Sequence, residues 1–182
     1  EKCDDFQNGD LTTTMISTEK GKTILVEHDV MTPRPYSRMY QIVGSDGYVG
    51  KYPVQQVCLR DNVAKGTSTD FQNLGREVVY SGDKLNKLLE ENRNPILTPE
   101  LEALAKKVGG HGGMDFIMDY RLIYCLRNGL PLDMDVYDMA EWCCLTELGR
   151  ISMENGNAPV EVPDFTRGAW DQIKGFSYAF AK

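Results

Sequence analysis

The sequence has no dinucleotide fingerprint. No G-x-G-x-x-G run occurs, and the nearest stretch, Gly44 to Gly50, has the wrong spacing and lies between strand-like segments. A P-loop, a G-x-S-x-G elbow and an H-E-x-x-H pair are also missing, which removes the usual βαβ, triphosphate, acyl-enzyme and helix-borne zinc chemistries. There are two histidines, His28 and His111, too few for a typical His-based metal centre. The five cysteines are odd in number, none forms a CxxC pair, and Cys143 and Cys144 are adjacent. That pattern supports neither a disulfide framework nor a zinc site, so the cysteines of the apolar runs are expected as buried thiols. No basic run appears and the formal net charge is -7, which speaks against nucleic acid as a partner. No window has the apolar length of a membrane span, so no membrane partner is expected. The chain opens Glu1-Lys2-Cys3 without an initiator Met. An upstream segment is therefore expected to precede it, and the compartment stays open.

What is present suits an ordinary globular chain. A length of 182 residues fits one domain, read as spanning residues 1–182, and can bury about two thirds of its unfolded surface. Leu11 to Ser17 and Thr23 to Val30 alternate as β residues around the Glu19–Lys22 turn, predicting a hairpin. Ser37 to Val43 and Tyr48 to Tyr52 predict a second hairpin around Ser45-Asp46-Gly47, with Val54 to Leu59 as a further strand after Pro53. The second half changes period. Leu85, Leu88 and Leu89 follow a cap at Ser81 or Asp83. Thr98-Pro99 opens a helix carrying Leu101, Leu104, Ala105 and Val108 on one face, with Gly109 as its stop. Met114 to Asn128 should turn Phe116, Tyr120, Ile123 and Tyr124 inward. Asp135 to Met153 should do so with Val136, Met139, Ala140, Cys143, Leu148 and Ile151. Strands first and helices after predict an α+β fold: an open, mostly antiparallel sheet with helices packed on one face.

Few residues rise above a structural explanation. His28 shares a strand face with Ile24 and Val26, so a hydrogen-bonded core histidine is the simpler reading, with a strand-end site residue as the alternative. The loop Met31 to Arg38 is stiffened by Pro33 and Pro35. If it is extended, Arg34, Tyr36 and Arg38 project from one side, a phenol between two guanidiniums that suits a polyhydroxylated ligand or simply a salt-bridged turn. His111 sits among Gly109, Gly110, Gly112 and Gly113, which permits positive φ and close approach of a backbone or ligand. Asp115 reads as a helix-start carboxylate. The acidic pairs Asp4/Asp5 and Asp133/Asp135 do not make a two-carboxylate glycosidase centre, because Asp133 and Asp135 are more simply caps.

Five stretches taken in order carry a resemblance: ILVEHDV at 24–30, PRPYSR at 33–38, GGHGGMDF at 109–116, YRLIYCLRNGLPLD at 120–133 and PDFTRGAW at 163–170. Together they resemble the C-terminal domain of the Gfo/Idh/MocA oxidoreductases, and most of all the branch of NAD-dependent α-N-acetylgalactosaminidase-like glycosidases. The resemblance runs from about Leu11 to Trp170. It implies a C-terminal substrate-binding and oligomerisation domain, truncated on its N-terminal side, whose parent carries NAD in an upstream Rossmann domain. No cofactor is then expected on this chain, and no catalytic residue, because the family's Tyr-Pro-Thr-His segment would lie upstream. The implied chemistry is transient hydride transfer from a sugar carbon, elimination, water addition and hydride return. A plain sugar or polyol dehydrogenase and a non-catalytic carbohydrate-binding or dimerisation module are the alternatives. The implied partners are a sugar or glycoside and a second copy of the chain, met through the open sheet face. Tyr36 is the foremost candidate for a sugar contact by resemblance, followed by His28 and His111, then Arg34 and Arg38.

Overall fold

The computed structural model describes residues 9–60 and 77–172; Cys3, Asp4 and Asp5 lie outside them. The fold is α+β, with antiparallel open sheets and, among the described residues, four α-helices. The chain divides into two compact units, Glu1–Asn92 and Arg93–Lys182.

The first unit carries the strands. β1 (Leu11–Ser17) and β2 (Thr23–Asp29) form a two-stranded antiparallel sheet in which Met15 faces Leu25 and Thr12 faces His28. β3 (Gln41–Val43), β4 (Gly47–Gly50), β5 (Gln56–Arg60) and β6 (Glu77–Tyr80) form a separate antiparallel meander in that order. Among the described residues the strands thus pair as two open antiparallel sheets. The break falls on residues 30–40, where Pro33 and Pro35 offer no ladder N–H. β3 also starts later than Ser37, because the Met39 N–H donates to Ser37 Oγ at 3.1 Å and Met39 itself turns at φ 31°. β2 is exposed along nearly its whole length, so His28 is not a core histidine. Among the described residues its strand pairs with β1 alone, and Leu25 is 60% exposed. The meander buries Val57, and α1 (Gly82–Glu91), entered from the extended Ser81, buries Leu85.

The second unit is helical. α2 (Pro99–Val108) begins as its sequence dictates: Thr98 Oγ1 accepts from the Leu101 N–H at 3.2 Å, with Pro at the first position. A 3-10 turn (His111–Gly113) leads into α3 (Met114–Asn128), which stops at a left-handed Gly129. α4 (Val136–Glu154) is opened by Asp135, whose side chain accepts from the Tyr137 and Asp138 N–H groups in a capping box. The core of this unit is narrower than helical periodicity suggests. Leu101, Ala105 and Cys125 are buried, while Leu104, Val108, Tyr120 and Ile123 are exposed. The buried stripe of α3 is instead Arg121 and Cys125, because a cation and a thiol fill the space expected for Tyr120 and Ile123. α4 buries no residue, and Cys143 is exposed. Among the described residues no helix is long and apolar enough to cross a membrane.

Candidate functional site

Two places gather the polar groups singled out above, one in each unit. In the first unit, Asp29 at the end of β2 organises the proline loop. Its Oδ1 accepts from the Met31 and Thr32 N–H groups at 3.2 and 3.0 Å, and its Oδ2 accepts from the Thr32 hydroxyl. Those bonds, those from Thr32 foremost, hold the Asp29 carboxyl below its ordinary range. Arg34 is drawn back to the same carboxylate, and its Nε donates to Thr32 Oγ1 at 3.1 Å. The three side chains expected on one side therefore separate. Arg34 caps the loop's start, and Tyr36 and Arg38 meet at its end.

The Arg38 Nε donates to the Tyr36 hydroxyl, and its guanidinium carbon lies 5.8 Å from the ring centroid. This hydrogen bond raises the Arg38 pKa above its ordinary value. Tyr36 in turn meets Tyr52 edge to face, at 6.2 Å and 84°. The Lys51 ammonium stands 5.9 Å from the Tyr52 ring centre. The register brings these together: Gln41 pairs with Gly50, and the next rung is the Lys51 N–H donating to the Tyr40 carbonyl at 3.0 Å. Tyr36 keeps 72% of its surface open. Sequence spacing points to Tyr36 and Arg38 but not to Tyr52 or Lys51, which only the β3–β4 register brings beside them.

In the second unit, five successive residues, Gly109 to Gly113, have positive φ, including His111 at 45°. Gly113 shows why glycine is needed: a Cβ there would lie 2.8 Å from the Ala105 carbonyl carbon. The turn thus brings the start of α3 against the back of α2. His111 stands out from it with 78% of its side chain exposed, and its Nδ1 lies 2.8 Å from Asp115 Oδ2. Asp115 is thereby more than a helix-start charge. One turn on from His111, it orients the imidazole and leaves Nε2 directed away from the pair. The i,i+4 spacing was the signal that could have joined them.

The glycine-rich stretches are occupied by packing. A Cβ on Gly47 would meet Leu59 and Cys58, and one on Gly50 would meet the Tyr48 ring. Among the described residues there is no group of three or more His, Cys, Asp or Glu suited to a metal ion.

With this geometry in hand, a family model for the glycosyl hydrolase 109 C-terminal domain matches residues 2–172. The chain belongs to that family. It is 62% identical over 179 residues to glycosyl hydrolase family 109 protein 1 of Bacteroides thetaiotaomicron and 60% identical to the protein of the same name from Bacteroides fragilis. A glycosyl hydrolase family 109 protein of Porphyromonas gingivalis is 62% identical over the same length. Each alignment covers 98% of this chain and 38% of the relative. The chain therefore spans about two fifths of the curated proteins it matches.

Within this family 109 domain one charged side chain is buried among the described residues. Arg121 is buried in α3 and clasps Asp133 with two bonds, Nε to Oδ2 and Nη2 to Oδ1, each 2.9 Å. Asp133 is thus the partner of a buried cation rather than a helix cap. The bond raises the Arg121 pKa against the opposing effect of burial. Cys125 Sγ lies 3.6 Å from the same guanidinium, and the Tyr124 ring 5.3 Å from it. The pair ties α3 to the loop before α4 across twelve residues, a distance at which sequence periodicity gives no signal.

Proposed function

We propose that this chain is the substrate-side domain of an NAD-dependent glycosidase, acting on a sugar by transient hydride transfer and elimination. NAD, bound by a part of the parent outside this chain, supplies reversible hydride abstraction from a sugar carbon. The residues of this chain bind and orient the glycoside. One observation carries the reading most directly: a polar-tipped aromatic, Tyr36, is presented by a loop fixed at both ends in a glycosyl hydrolase family domain. Its exposed ring offers a sugar an apolar face, and its hydroxyl proton is left to donate once the oxygen has accepted from Arg38. His111, in the second unit, is a separate candidate contact that stands on its own geometry. Asp115 fixes its ring, so Nε2 can accept a hydrogen bond or a proton from a sugar hydroxyl. His28, open to solvent at the end of β2, is a peripheral contact at most in this reading.

The test uses the full-length protein and a chromogenic N-acetylgalactosaminide. Turnover without net accumulation of NADH supports the glycosidase. Stoichiometric NADH from the free sugar indicates a sugar dehydrogenase instead. Tyr36→Phe removes one hydrogen bond and keeps the ring, so kcat/KM should fall up to about tenfold, that is roughly 0.5–1.5 kcal/mol. Tyr36→Ala should cost more, because the stacking surface goes too. Full activity in both variants sinks the assignment of Tyr36.

A further inference from the structure

The charges around the Tyr36–Tyr52 corner define the glycan further, an inference that rests on the glycosidase reading above. We infer that Arg38 and Lys51 form, with these two rings, a subsite for an acidic substituent on the sugar chain, a carboxylate or a sulfate ester. What singles out Arg38 and Lys51 is their placement over two tyrosine rings that meet edge to face. Two carboxylates of the same unit are already engaged: Asp29 by Arg34, and Asp46 by Arg60 at 3.8 Å. Arg38 and Lys51 have no carboxylate partner among the described residues. Each instead stands over a tyrosine ring, Arg38 at 5.8 Å and Lys51 at 5.9 Å.

The geometry fits an oxyanion better than a neutral hydroxyl. Arg38 spends its Nε–H on the Tyr36 hydroxyl, so the two Nη groups remain as a planar pair of donors for two oxygens. Lys51 adds a point charge from the residue just after β4, held there by its own backbone bond to Tyr40. The edge-to-face rings form the apolar corner on which the sugar carbons rest. A neutral sugar would use the rings and leave both charges without a counterpart.

Isothermal titration of the whole 182-residue chain tests this with galactose 6-sulfate, N-acetylneuraminic acid and, as the neutral match of the first, galactose. At low salt the acidic sugars should bind about tenfold more tightly than galactose, with the advantage shrinking as salt is raised. The double variant Arg38→Gln/Lys51→Gln should bring the acid-to-neutral ratio close to one, while Lys22→Gln, in the β1–β2 turn, should leave it intact. Preference for galactose 6-sulfate alone assigns a sulfate ester, and preference for N-acetylneuraminic acid alone a carboxylate. Equal binding of acidic and neutral sugars overturns the proposal, as does a preference that survives in the double variant. Inorganic sulfate binding as tightly as galactose 6-sulfate also overturns it, since the anion site then involves no glycan. So does the absence of binding by all three sugars. Turnover of the neutral chromogenic glycoside by the full-length protein stays a separate readout: activity there with no acid preference here removes the subsite and leaves the glycosidase.

Discussion

The loop at 29–38 and the turn at 109–115 both present an exposed side chain in a fixed direction, but they are held by different means. The loop is held by side chains: Asp29 and Ser37 accept backbone N–H groups, and Arg38 steadies Tyr36. The turn is held by backbone shape: five successive positive φ values and a Gly113 seated on the backbone of Ala105. Side-chain fastening can be edited one bond at a time, and each exposed bond is worth little. Backbone fastening fails all at once, because a Cβ cannot be accommodated where another main chain lies. Substitutions in the turn should therefore read out as stability, and substitutions in the loop mainly as binding.

The strongest way to break that contrast is Gly113→Val. The new side chain would lie 2.8 Å from the Ala105 carbonyl carbon at a φ of 102°, so overpacking and left-handed strain add. The expected loss is about 3 kcal/mol or more. Gly112→Ala is the internal control: its φ is 71° but nothing lies within 4 Å, so it should lose only about 1 kcal/mol. Chemical denaturation of both variants decides. If they melt alike, close approach is not what holds the turn.

Asp133→Ala comes next. It leaves a guanidinium in α3 buried with 9% of its side chain exposed, and losing one partner of such a pair costs about 3 kcal/mol, less here because Asp133 is partly open. Arg121→Met with Asp133→Leu removes both charges and should recover most of that loss. A double variant as unstable as the single one would mean that the pair itself, and not the orphaned charge, sustains this unit.

These two positions also show what a sequence can and cannot say. Local signals were legible. Thr98-Pro99, Gly109 and Asp135 bound their helices as expected, since capping is settled within a few residues. The β1–β2 hairpin was legible for the same reason. The burial pattern was not. Periodicity marks Tyr120 and Ile123 as inward, whereas Arg121 is inward because Asp133, twelve residues on, satisfies it. The candidate site followed the same rule: Tyr36 and Arg38 are two apart and could be paired by eye, while Tyr52 joins them only through a strand register. Of the two readings of His28 the core one fails, because β2 is exposed along nearly its whole length.

A smaller effect belongs to the α4 cap. Asp135 accepts the Tyr137 and Asp138 N–H groups at 2.8 and 3.1 Å, while Asp138 accepts the Asp135 N–H at 2.9 Å. Asp135→Ala should destabilise the helix by about 1 kcal/mol, and Asp135→Ser should restore most of it. Helicity by circular dichroism and the unfolding midpoint should move together. A midpoint that does not move would show that α4, which buries no residue, is uncoupled from the rest of its unit.

The smallest effect expected concerns Asp29, and it sharpens the comparison from the loop's side. Thr32, Met31 and Arg34 all favour its charged form, so its folded pKa lies below the ordinary 3.8. A depressed carboxylate contributes stability above its unfolded pKa, and the contribution is lost as the pH falls below 3.8 through the lower native value. The loop should therefore hold its conformation at neutral pH and loosen only in strong acid. The Met31 and Thr32 amide shifts, followed by nuclear magnetic resonance, should report the transition together. Asp29→Asn keeps an oxygen where Oδ1 accepts both amides, yet it discards the charge that draws Arg34 inward. The variant should retain those amide positions and the overall melting temperature, and lose the acid transition. If Asp29→Asn instead disturbs Tyr36 at neutral pH, the loop is fastened by charge rather than by its backbone acceptors. The division between an editable loop and an uneditable turn would then have to be redrawn.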